Sequence, residues 1–314
     1  EDNCFIGARA EVAEGVIVTE PDVRETTTLY TVAVDTVERG TIEPTWVLLI
    51  AHRFPEFSYG DRVTSHGTLV LPESFETESG RMFDYSSWLA KDDVFYQMFR
   101  PRMNFISAGQ GNVVKEKLFG IKEAFLENIQ QVIPDPAAAL AGGLIVGSKQ
   151  SLGREWQDAF RATGVIHIVV LSGFNVTIIA EFIRRAFFFL PLASNLSVSS
   201  VLVVLFAIMN GASATIVRVT VMGLLAMFAR ATGHTYAITR ALFIAALGMI
   251  LWNPKILVHD PSFQLSFLAT MGLIHVAPRV ETYLTWIPNF LAMREYVAAT
   301  IGTLLFILTF MLYL

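Results

Sequence analysis

The feature that most constrains the fold is a series of long apolar runs in the second half of the chain. About 20 apolar residues in helical conformation cross the hydrocarbon core of a bilayer. The runs therefore predict a polytopic α-helical transmembrane bundle of about six spans over residues 165–314, with both chain ends interpreted as cuts in a longer polypeptide. The predicted spans are 165–183, 196–211, 214–230, 236–252, 261–278 and 297–314.

Charge is divided unevenly between the two parts of the chain. Residues 1–112 contain 9 basic and 18 acidic residues, whereas residues 113–314 contain 14 basic and 10 acidic residues. Such a split indicates two regions in different solvents. Basic residues also concentrate in alternate connections between the spans, which the positive-inside rule assigns to the cytoplasm. Residues 1–112 are therefore expected outside a cytoplasmic membrane that the chain crosses several times. The cytoplasmic connections contain Arg184, Arg185, Arg230, Arg240, Arg279 and Arg294, against Lys255 alone on the other side.

Residues 1–112 contain short β-type runs separated by turn residues. Five such runs at this spacing predict a small β-barrel of the OB-fold type. Barrels of this kind bind single-stranded nucleic acid, oligosaccharides or other proteins, so the pattern leaves the ligand open. The predicted strands are 9–19, 27–38, 45–51, 62–70 and 94–99, with a short helix around 86–91.

Residues 113–164 are predicted to connect the barrel to the spans. Asn112 caps a helix that Pro134 stops. Two placements are open for this helix: in the plane of the membrane interface, or packed on the barrel or the bundle. Its apolar stripe consists of Val114, Leu118, Ile121, Phe125, Ile129 and Val132.

Polar residues inside the predicted spans are the candidate functional groups. A charged side chain in the middle of a span costs about 2.5–3.5 kcal/mol on insertion scales and normally faces a partner or a water-filled cavity. The alternative role for each polar group is a hydrogen bond that only holds neighbouring helices together. Arg218 is the clearest functional candidate. The other candidates are Ser172, Asn175, Gln264 and Ser266.

The sequence contains no motif of a known catalytic type. The six histidines are scattered without zinc-binding spacing, and no phosphate-binding loop, nucleophile elbow or paired-cysteine motif is present. The single cysteine, Cys4, excludes a disulfide framework within the chain. We therefore expect no enzymatic activity, no metal site and no cofactor in this chain.

Three segments, in order, carry a resemblance to a known family. The stretch 161–180, which contains His167 and Ser172-Gly173, leads into a predicted membrane helix. The stretch 211–218 is a Gly/Ser-rich turn with an Arg in the next helix, and the stretch 261–272 contains Phe-Gln-Leu-Ser-Phe in a predicted helix. All three resemble segments of the ComEC family of bacterial competence proteins, which are DNA-uptake channels.

The resemblance implies a channel that passes single-stranded DNA across the cytoplasmic membrane during natural transformation. Ser172, Asn175, Arg218, Gln264 and Ser266 would then face the translocation path. The implied partners are single-stranded DNA, the lipid bilayer, a DNA-receptor protein outside and a helicase-like motor inside, together with further copies of the chain. The family's metallo-β-lactamase-like domain has no counterpart here, so no nuclease or metal site is carried over.

The resemblance also extends to the barrel, which would grip the DNA although its net charge is negative. A local basic face around Arg53, Arg62, Arg100 and Arg102 is the candidate for that grip. Two other classes of protein stay open. One is a transporter for a small molecule or a lipid-linked substrate, which would predict inverted repeats. The other is a membrane scaffold whose barrel binds a protein or a glycan.

Overall fold

The computed structural model describes residues 12–24, 26–37, 40–76, 80, 82–147, 154–163, 173–233, 237–284 and 293–313. These residues form an N-terminal sheet region followed by a mostly helical region. By its internal contacts the chain divides into two compact units, Glu1–Ile216 and Val217–Leu314. The sequence-based domain boundaries at 112 and 164 stay predictions.

The sheet region contains all five of the predicted strands and one further long strand. Buried and partly exposed residues alternate along β1 and β3, as expected for strands that cover a core with one face. The longer strands are β1 (Val12–Ile17), β3 (Thr27–Val37), β4 (Gly40–His52), β5 (Arg62–His66), β9 (Val94–Phe99) and β10 (Arg102–Ser107). Four two-residue strands complete the set: β2 (Asp22–Val23), β6 (Leu69–Val70), β7 (Phe75–Glu76) and β8 (Met82–Phe83). Strand β10 was not predicted.

The main sheet has the strand order β10-β5-β1-β3-β4-β9-β6, with β2 paired to β3, while β7 and β8 form a separate hairpin. All pairs in the main sheet are antiparallel except β4 with β9. Only Arg100 and Pro101 separate β9 from β10. A single run of chain therefore pairs with β4 through its first half and with β5 through its second half.

The core of the sheet region lies inside this path of strands. Tyr30 is fully buried at its centre, and its hydroxyl accepts a hydrogen bond from the backbone N–H of Phe57 at 3.2 Å. Burial raises the pKa of Tyr30 above its ordinary value, since the charged phenolate would lose its hydration. The cluster also includes Ile17, Val32, Val34, Val47, Leu49, Val63 and Met98.

A short helix, α1 (Tyr85–Ala90), covers part of the outer face of the sheet. Asp84 caps its N-terminus by accepting a hydrogen bond from the Ser87 N–H at 3.0 Å. Leu89 packs with Leu48 of β4 and Val94 of β9 in a second apolar cluster. The partly buried members of this cluster are Leu29, Trp46, Ile50, Tyr85 and Trp88.

The connector begins with the predicted helix, α2 (Val113–Val132), capped by the Asn112 side chain. The helix packs on the sheet region, where Phe119 meets Tyr59 edge to face at 5.2 Å and Lys122 pairs with Glu20 at 2.8 Å. Lys122 is only 7% exposed. The predicted apolar stripe is thus only partly covered. Leu118, Phe125 and Ile129 are half-buried, whereas three stripe residues are exposed: Val114, Ile121 and Val132.

The rest of the chain is helical. The helices are α3 (Ala137–Val146), α4 (Arg154–Ala162), α5 (Gly173–Ala186), α6 (Leu192–Met209), α7 (Ala214–Ala231), α8 (Ile238–Trp252), α9 (Ile256–His259), α10 (Pro261–Met271), α11 (Ala277–Tyr283) and α12 (Met293–Tyr313). A π-helical turn, Gly272–Val276, joins α10 to α11. Within the described ranges, α6 and α7 are long and apolar enough to cross a membrane, and they match two of the predicted spans.

Helices α10 to α12 pack through close backbone contact in the second unit. A side chain added at Gly302 of α12 would lie 2.7 Å from the backbone nitrogen of Ala277, and one at Gly272 would lie 3.0 Å from the Gly302 carbonyl oxygen. Both distances are shorter than van der Waals contact allows, so only glycine lets these helices approach so closely. This packing places α10 firmly within the unit that contains the candidate site.

Candidate functional site

Arg218 lies in the second turn of α7 and is only 8% exposed. Its immediate neighbours Val217 and Val219 are apolar, and the helix as a whole has a length and hydropathy that suit a membrane. Burial of a guanidinium is costly unless hydrogen bonds or an opposite charge compensate it. The partners of Arg218 therefore decide what the site can do.

Its oxygen partners are neutral hydroxyl groups on α10, and Nη1 also lies 3.8 Å from the Met222 sulfur on α7 itself. The Arg218 Nε donates a hydrogen bond to Ser266 Oγ at 2.8 Å, and Nη1 donates to Thr270 Oγ1 at 2.8 Å. The Phe267 ring lies with its centroid 5.6 Å from the Arg218 Cζ, within cation–π range. Ser266 and Thr270 are four residues apart on one face of α10, which is why a single guanidinium reaches both.

The site orients the guanidinium without cancelling its charge. Among the described residues, no carboxylate lies within ion-pair distance of Arg218, and Nη2 has no hydrogen-bond partner. Thr270 Oγ1, which accepts a hydrogen bond from Arg218, also donates one to the Ser266 carbonyl oxygen at 2.8 Å. This second hydrogen bond fixes the Thr270 hydroxyl on α10. A positive charge held in this way attracts an anion that reaches Nη2.

The structure brings two of the five predicted path residues together, namely Arg218 and Ser266. Gln264 lies on the same helix as Ser266 but donates to the carbonyl oxygens of Leu257 and Val258, both at 2.9 Å. It therefore joins α10 to the segment that precedes it. Asn175 lies in the other unit, on α5, and Ser172 is outside the described residues.

The amide nitrogen of Asn175 is buried and has no hydrogen-bond partner within the described parts of the chain. A buried donor without an acceptor costs about 1–3 kcal/mol, which makes such a group a candidate for contact with a ligand or water. Thr270 and Phe267 were not predicted as site residues. Thr270 could have been found from its position four residues after Ser266, on the same helix face.

Of the four candidate DNA-binding arginines, Arg62 is fully engaged by carboxylates. Its Nε donates to Glu14 at 2.6 Å, and Nη1 and Nη2 donate to the two carboxylate oxygens of Asp35 at 3.0 and 2.8 Å. The hydrogen bond that Arg62 donates to Glu14, and then those that it donates to Asp35, raise the pKa of Arg62. This ion-pair network joins β1, β3 and β5, and its net charge is negative.

The other three arginines are grouped at one end of the sheet region. Arg100 and Arg102 line a cleft of about 370 Å³ together with His52, Phe54, Pro55, Phe57 and neighbouring residues. The Arg53 guanidinium lies 5.4 Å from the centroid of the Phe54 ring and 3.8 Å from the Glu56 carboxylate. Within the described residues, neither Arg100 nor Arg102 has an ion-pair partner. We call this cleft the arginine cleft.

No group of three or more His, Cys, Asp or Glu side chains in the described ranges is arranged to hold a metal ion. The arrangement that the structure does present consists of a sheet region, helices suited to a membrane and a buried arginine inside one of them. These features are typical of a membrane-associated protein.

The sequence model of the Competence protein family matches residues 144–314, more than half of the chain. The chain therefore belongs to the ComEC family of competence proteins. The matched range includes α5 to α12 and the whole Arg218 site. The predicted family resemblance is confirmed.

Among curated proteins, ComE operon protein 3 of Bacillus subtilis (strain 168) is 22% identical over 212 residues, which cover 66% of this chain and 26% of that protein. A 63-residue stretch is 46% identical to 2,3,4,5-tetrahydropyridine-2,6-dicarboxylate N-succinyltransferase of Albidiferax ferrireducens and covers 18% of this chain and 23% of that protein. The chain thus spans about a quarter of the length of these relatives. No solved structure matches it.

Proposed function

We propose that this chain is part of a channel that passes single-stranded DNA across the cytoplasmic membrane into the cell during natural transformation. The observation that carries the proposal is the Arg218 site in a competence-family protein. Its guanidinium is buried, is oriented by the hydroxyls of Ser266 and Thr270, and faces no carboxylate among the described residues. A phosphodiester group is the anion that a DNA strand would present to it.

A conducting site has to bind each phosphate and then release it. Tight binding would stop the strand, whereas a single fixed charge surrounded by neutral groups permits stepwise movement. Arg218 would supply the charge-assisted contact. Ser172, Asn175 and Gln264 would supply neutral hydrogen bonds elsewhere along the path. The unpartnered Asn175 amide supports this role.

The proposed architecture is an OB-like barrel outside the membrane, followed by a bundle of about six spans. The barrel is supported by the run β9–β10, because β9 lies near one end of the strand order, where it pairs with β4, while β10 lies at the other end, where it pairs with β5. The bundle is supported by α6 and α7 and by the further helical segments that follow them. The excess of basic residues in alternate connections supports an extracytoplasmic sheet region.

The chain would act with partners rather than as an enzyme. A receptor protein would deliver DNA outside, a helicase-like motor inside would pull the strand, and further copies of the chain would complete the pore. The role that we assign to this chain is strand passage, and the proposal includes no bond cleavage.

The test is entry of labelled DNA into the cytoplasm of cells that carry the full-length gene at matched membrane levels. A charged hydrogen bond contributes about 1.5–3 kcal/mol, and each 1.4 kcal/mol corresponds to tenfold. We expect Arg218→Ala to reduce entry by roughly ten- to a hundredfold while DNA still accumulates outside. Asn175→Leu should have a smaller effect. Arg230→Ala, an exposed arginine at the end of the same helix, is the matched control.

Two results would contradict the proposal. If deletion of the gene leaves DNA entry unchanged, the protein has another function, such as transport of a small molecule or of a lipid-linked substrate. If Arg218→Ala lowers the amount of folded protein but leaves entry per folded molecule unchanged, Arg218 only holds the helices together. That second result would favour the scaffold hypothesis.

A further inference from the structure

Small barrels of the OB type usually take single strands across the face of their second and third strands. In the proposed OB-like architecture of this chain, those strands are β3 and β4. Their outer face is covered by α1, because Leu48 of β4 is buried against Leu89, while Trp46 and Ile50 pack in the same cluster. A DNA strand would have to displace α1 to reach this face. If the sheet region binds DNA, it needs a different surface.

The arginine cleft is such a surface. Residues 1–112 have twice as many acidic as basic residues, yet no carboxylate lines this cleft. Arg100 and Arg102 are both exposed, and neither has an ion-pair partner within the described residues. Both guanidinium charges are therefore available to an anion. This contrasts with Arg62, whose charge is cancelled by Glu14 and Asp35.

The backbone holds the two arginines in place. Arg100 has a φ of +48°, a conformation that residues other than glycine rarely adopt. Its N–H donates to the Ile50 carbonyl oxygen at 2.8 Å, which ties the bend between β9 and β10 to the end of β4. Pro101 separates the two arginines. A non-glycine residue held in this region by surrounding structure is typical of functional sites.

The cleft also offers a surface for stacking. Phe54 lines it and is 70% exposed, while Arg53 lies over its ring. Bases of single-stranded DNA stack on exposed aromatic rings regardless of sequence, and arginines bind the adjacent phosphates. A volume of about 370 Å³ falls within the range of about 300–1,000 Å³ that is usual for small-ligand sites.

We propose that the arginine cleft binds one nucleotide unit of single-stranded DNA, with its phosphodiester between Arg100 and Arg102 and its base on Phe54. The outer face of β3 and β4 takes no part in this binding. The inference rests on the proposed function, because that function supplies the DNA strand. It goes further by placing the contact at the end of β4 and the bend between β9 and β10.

The test measures binding of a fluorescein-labelled oligo-dT to the purified full-length protein by anisotropy, at several salt concentrations. The cleft variant is Arg100→Asn/Arg102→Gln, since asparagine tolerates a positive φ. The control variant, Lys115→Gln/Lys117→Gln, removes the same charge from exposed positions on α2. We expect the cleft variant to raise the Kd at least about tenfold. The slope of log affinity against log salt concentration should fall in magnitude by about 1.4, because each lost phosphate contact on a single strand reduces it by about 0.7. The control should change the Kd less than about twofold.

A second measurement keeps the test valid if the double variant folds poorly. Phe54→Leu changes an exposed side chain and should weaken binding several-fold with no change in the salt slope. Ultraviolet crosslinking of a 4-thiothymidine oligonucleotide should label the peptides around Phe54 and Arg100. Crosslinks to Tyr85 or Trp88 would instead place the strand on the β3–β4 face and overturn the proposal.

Failure of this inference and failure of the proposed function have different outcomes. If the cleft and control variants weaken binding equally, the cleft is not the site, even while gene deletion still abolishes DNA entry. If the wild-type protein binds no oligonucleotide and gene deletion leaves entry unchanged, both proposals fail. Tenfold weaker binding confined to the cleft variant supports the inference.

Discussion

The sheet region and the helical region each hold one arginine away from bulk water, and they do so by opposite means. In the sheet region, Arg62 makes three hydrogen bonds to the carboxylates of Glu14 and Asp35. In the helical region, Arg218 makes its two oxygen contacts to the hydroxyls of Ser266 and Thr270. The first arrangement cancels the charge of the arginine, whereas the second only fixes its orientation.

The difference is the reason why we propose Arg218, and not Arg62, as the arginine that meets a ligand. The carboxylates of Glu14 and Asp35 neutralise Arg62, and the ion-pair network joins three strands. The role of Arg62 is therefore structural. Hydroxyls leave the charge of Arg218 in place inside an apolar helix, where it costs free energy unless an anion offsets it.

The two regions also differ in how their elements are held together, and the largest effect we predict concerns this difference. Gly302→Leu should reduce the amount of protein in the membrane more than about tenfold, because the Cβ position lies 2.7 Å from the Ala277 nitrogen and α12 would have to separate from α11. Quantitative immunoblotting of isolated membranes measures the amount of each variant.

The control for that prediction is Gly248→Leu, since nothing lies within 4 Å of a Cβ at Gly248. This variant should accumulate at wild-type levels. Normal accumulation of Gly302→Leu would show that close backbone contact does not hold the second unit together.

The next largest effect tests whether the ion pairs of Arg62 with Glu14 and Asp35 stabilise the sheet region. Arg62→Met leaves Glu14 and Asp35 facing each other without a cation. We expect a cost of about 1.5–3 kcal/mol, which lowers the apparent Tm of a domain of this size by at least about 6 °C. Differential scanning fluorimetry of the full-length protein measures the change.

Arg24→Met is the matched control for Arg62→Met, because Arg24 pairs with Asp22 on an exposed surface where such pairs contribute about 0–1 kcal/mol. Its Tm should stay within about 2 °C of the wild type. Equal effects of the two substitutions would remove the contrast between the sheet region and the Arg218 site.

The smallest effect that we predict is a pH dependence of the stability of α1 in the sheet region. Hydrogen bonds from the Ser87 hydroxyl, the Ser87 N–H and the Ser86 hydroxyl lower the pKa of Asp84 well below its ordinary value of 3.8. A lowered pKa contributes stability that is present above 3.8 and is lost as the pH falls below it. Amide exchange in α1, corrected for intrinsic rates, should therefore accelerate below about pH 4.

Asp84→Asn should remove most of that pH dependence, since the amide does not titrate. An unchanged pH profile in this variant would show that another group controls α1. In our proposal for the arginine cleft, α1 is the element that keeps a DNA strand from the outer face of β3 and β4.

Much of the fold could be predicted from local patterns. The five strands and the Asn112 cap followed from alternation, turn residues and capping chemistry, which act over a few residues. Strand β10 was missed because Arg102 and Asn104 interrupt its apolar pattern and Pro101 precedes it. Its existence depends on pairing with β5, which lies some 40 residues earlier in the chain.

The face of α2 that is buried also could not be predicted from local sequence patterns alone. Periodicity predicted a stripe that includes Ile121, yet Ile121 is 62% exposed and Lys122 is buried against Glu20. The partner that buries Lys122 is about 100 residues away in sequence, so no helical wheel reveals it. The interfacial placement of the exposed stripe residues stays a prediction.

The candidate site was predictable as a list of residues but not as an arrangement. A lone arginine in an apolar helix singles out Arg218 through its cost. Its contact with Ser266 joins residues 48 positions apart, and Thr270 was overlooked. Arg62 looked like the other basic residues of the sheet region until its two carboxylate partners were placed beside it.

The central claim is that Arg218 is kept for its charge, and one measurement tests it most directly. DNA entry and apparent Tm are measured on the same preparations of wild type, Arg218→Lys and Arg218→Met. The account predicts that the Tm of both variants stays within a few degrees of the wild type. Arg218→Lys should keep a measurable part of the entry rate and Arg218→Met should lose it. If the two variants lose entry equally and in proportion to a fall in Tm, Arg218 is a structural residue and the account is wrong.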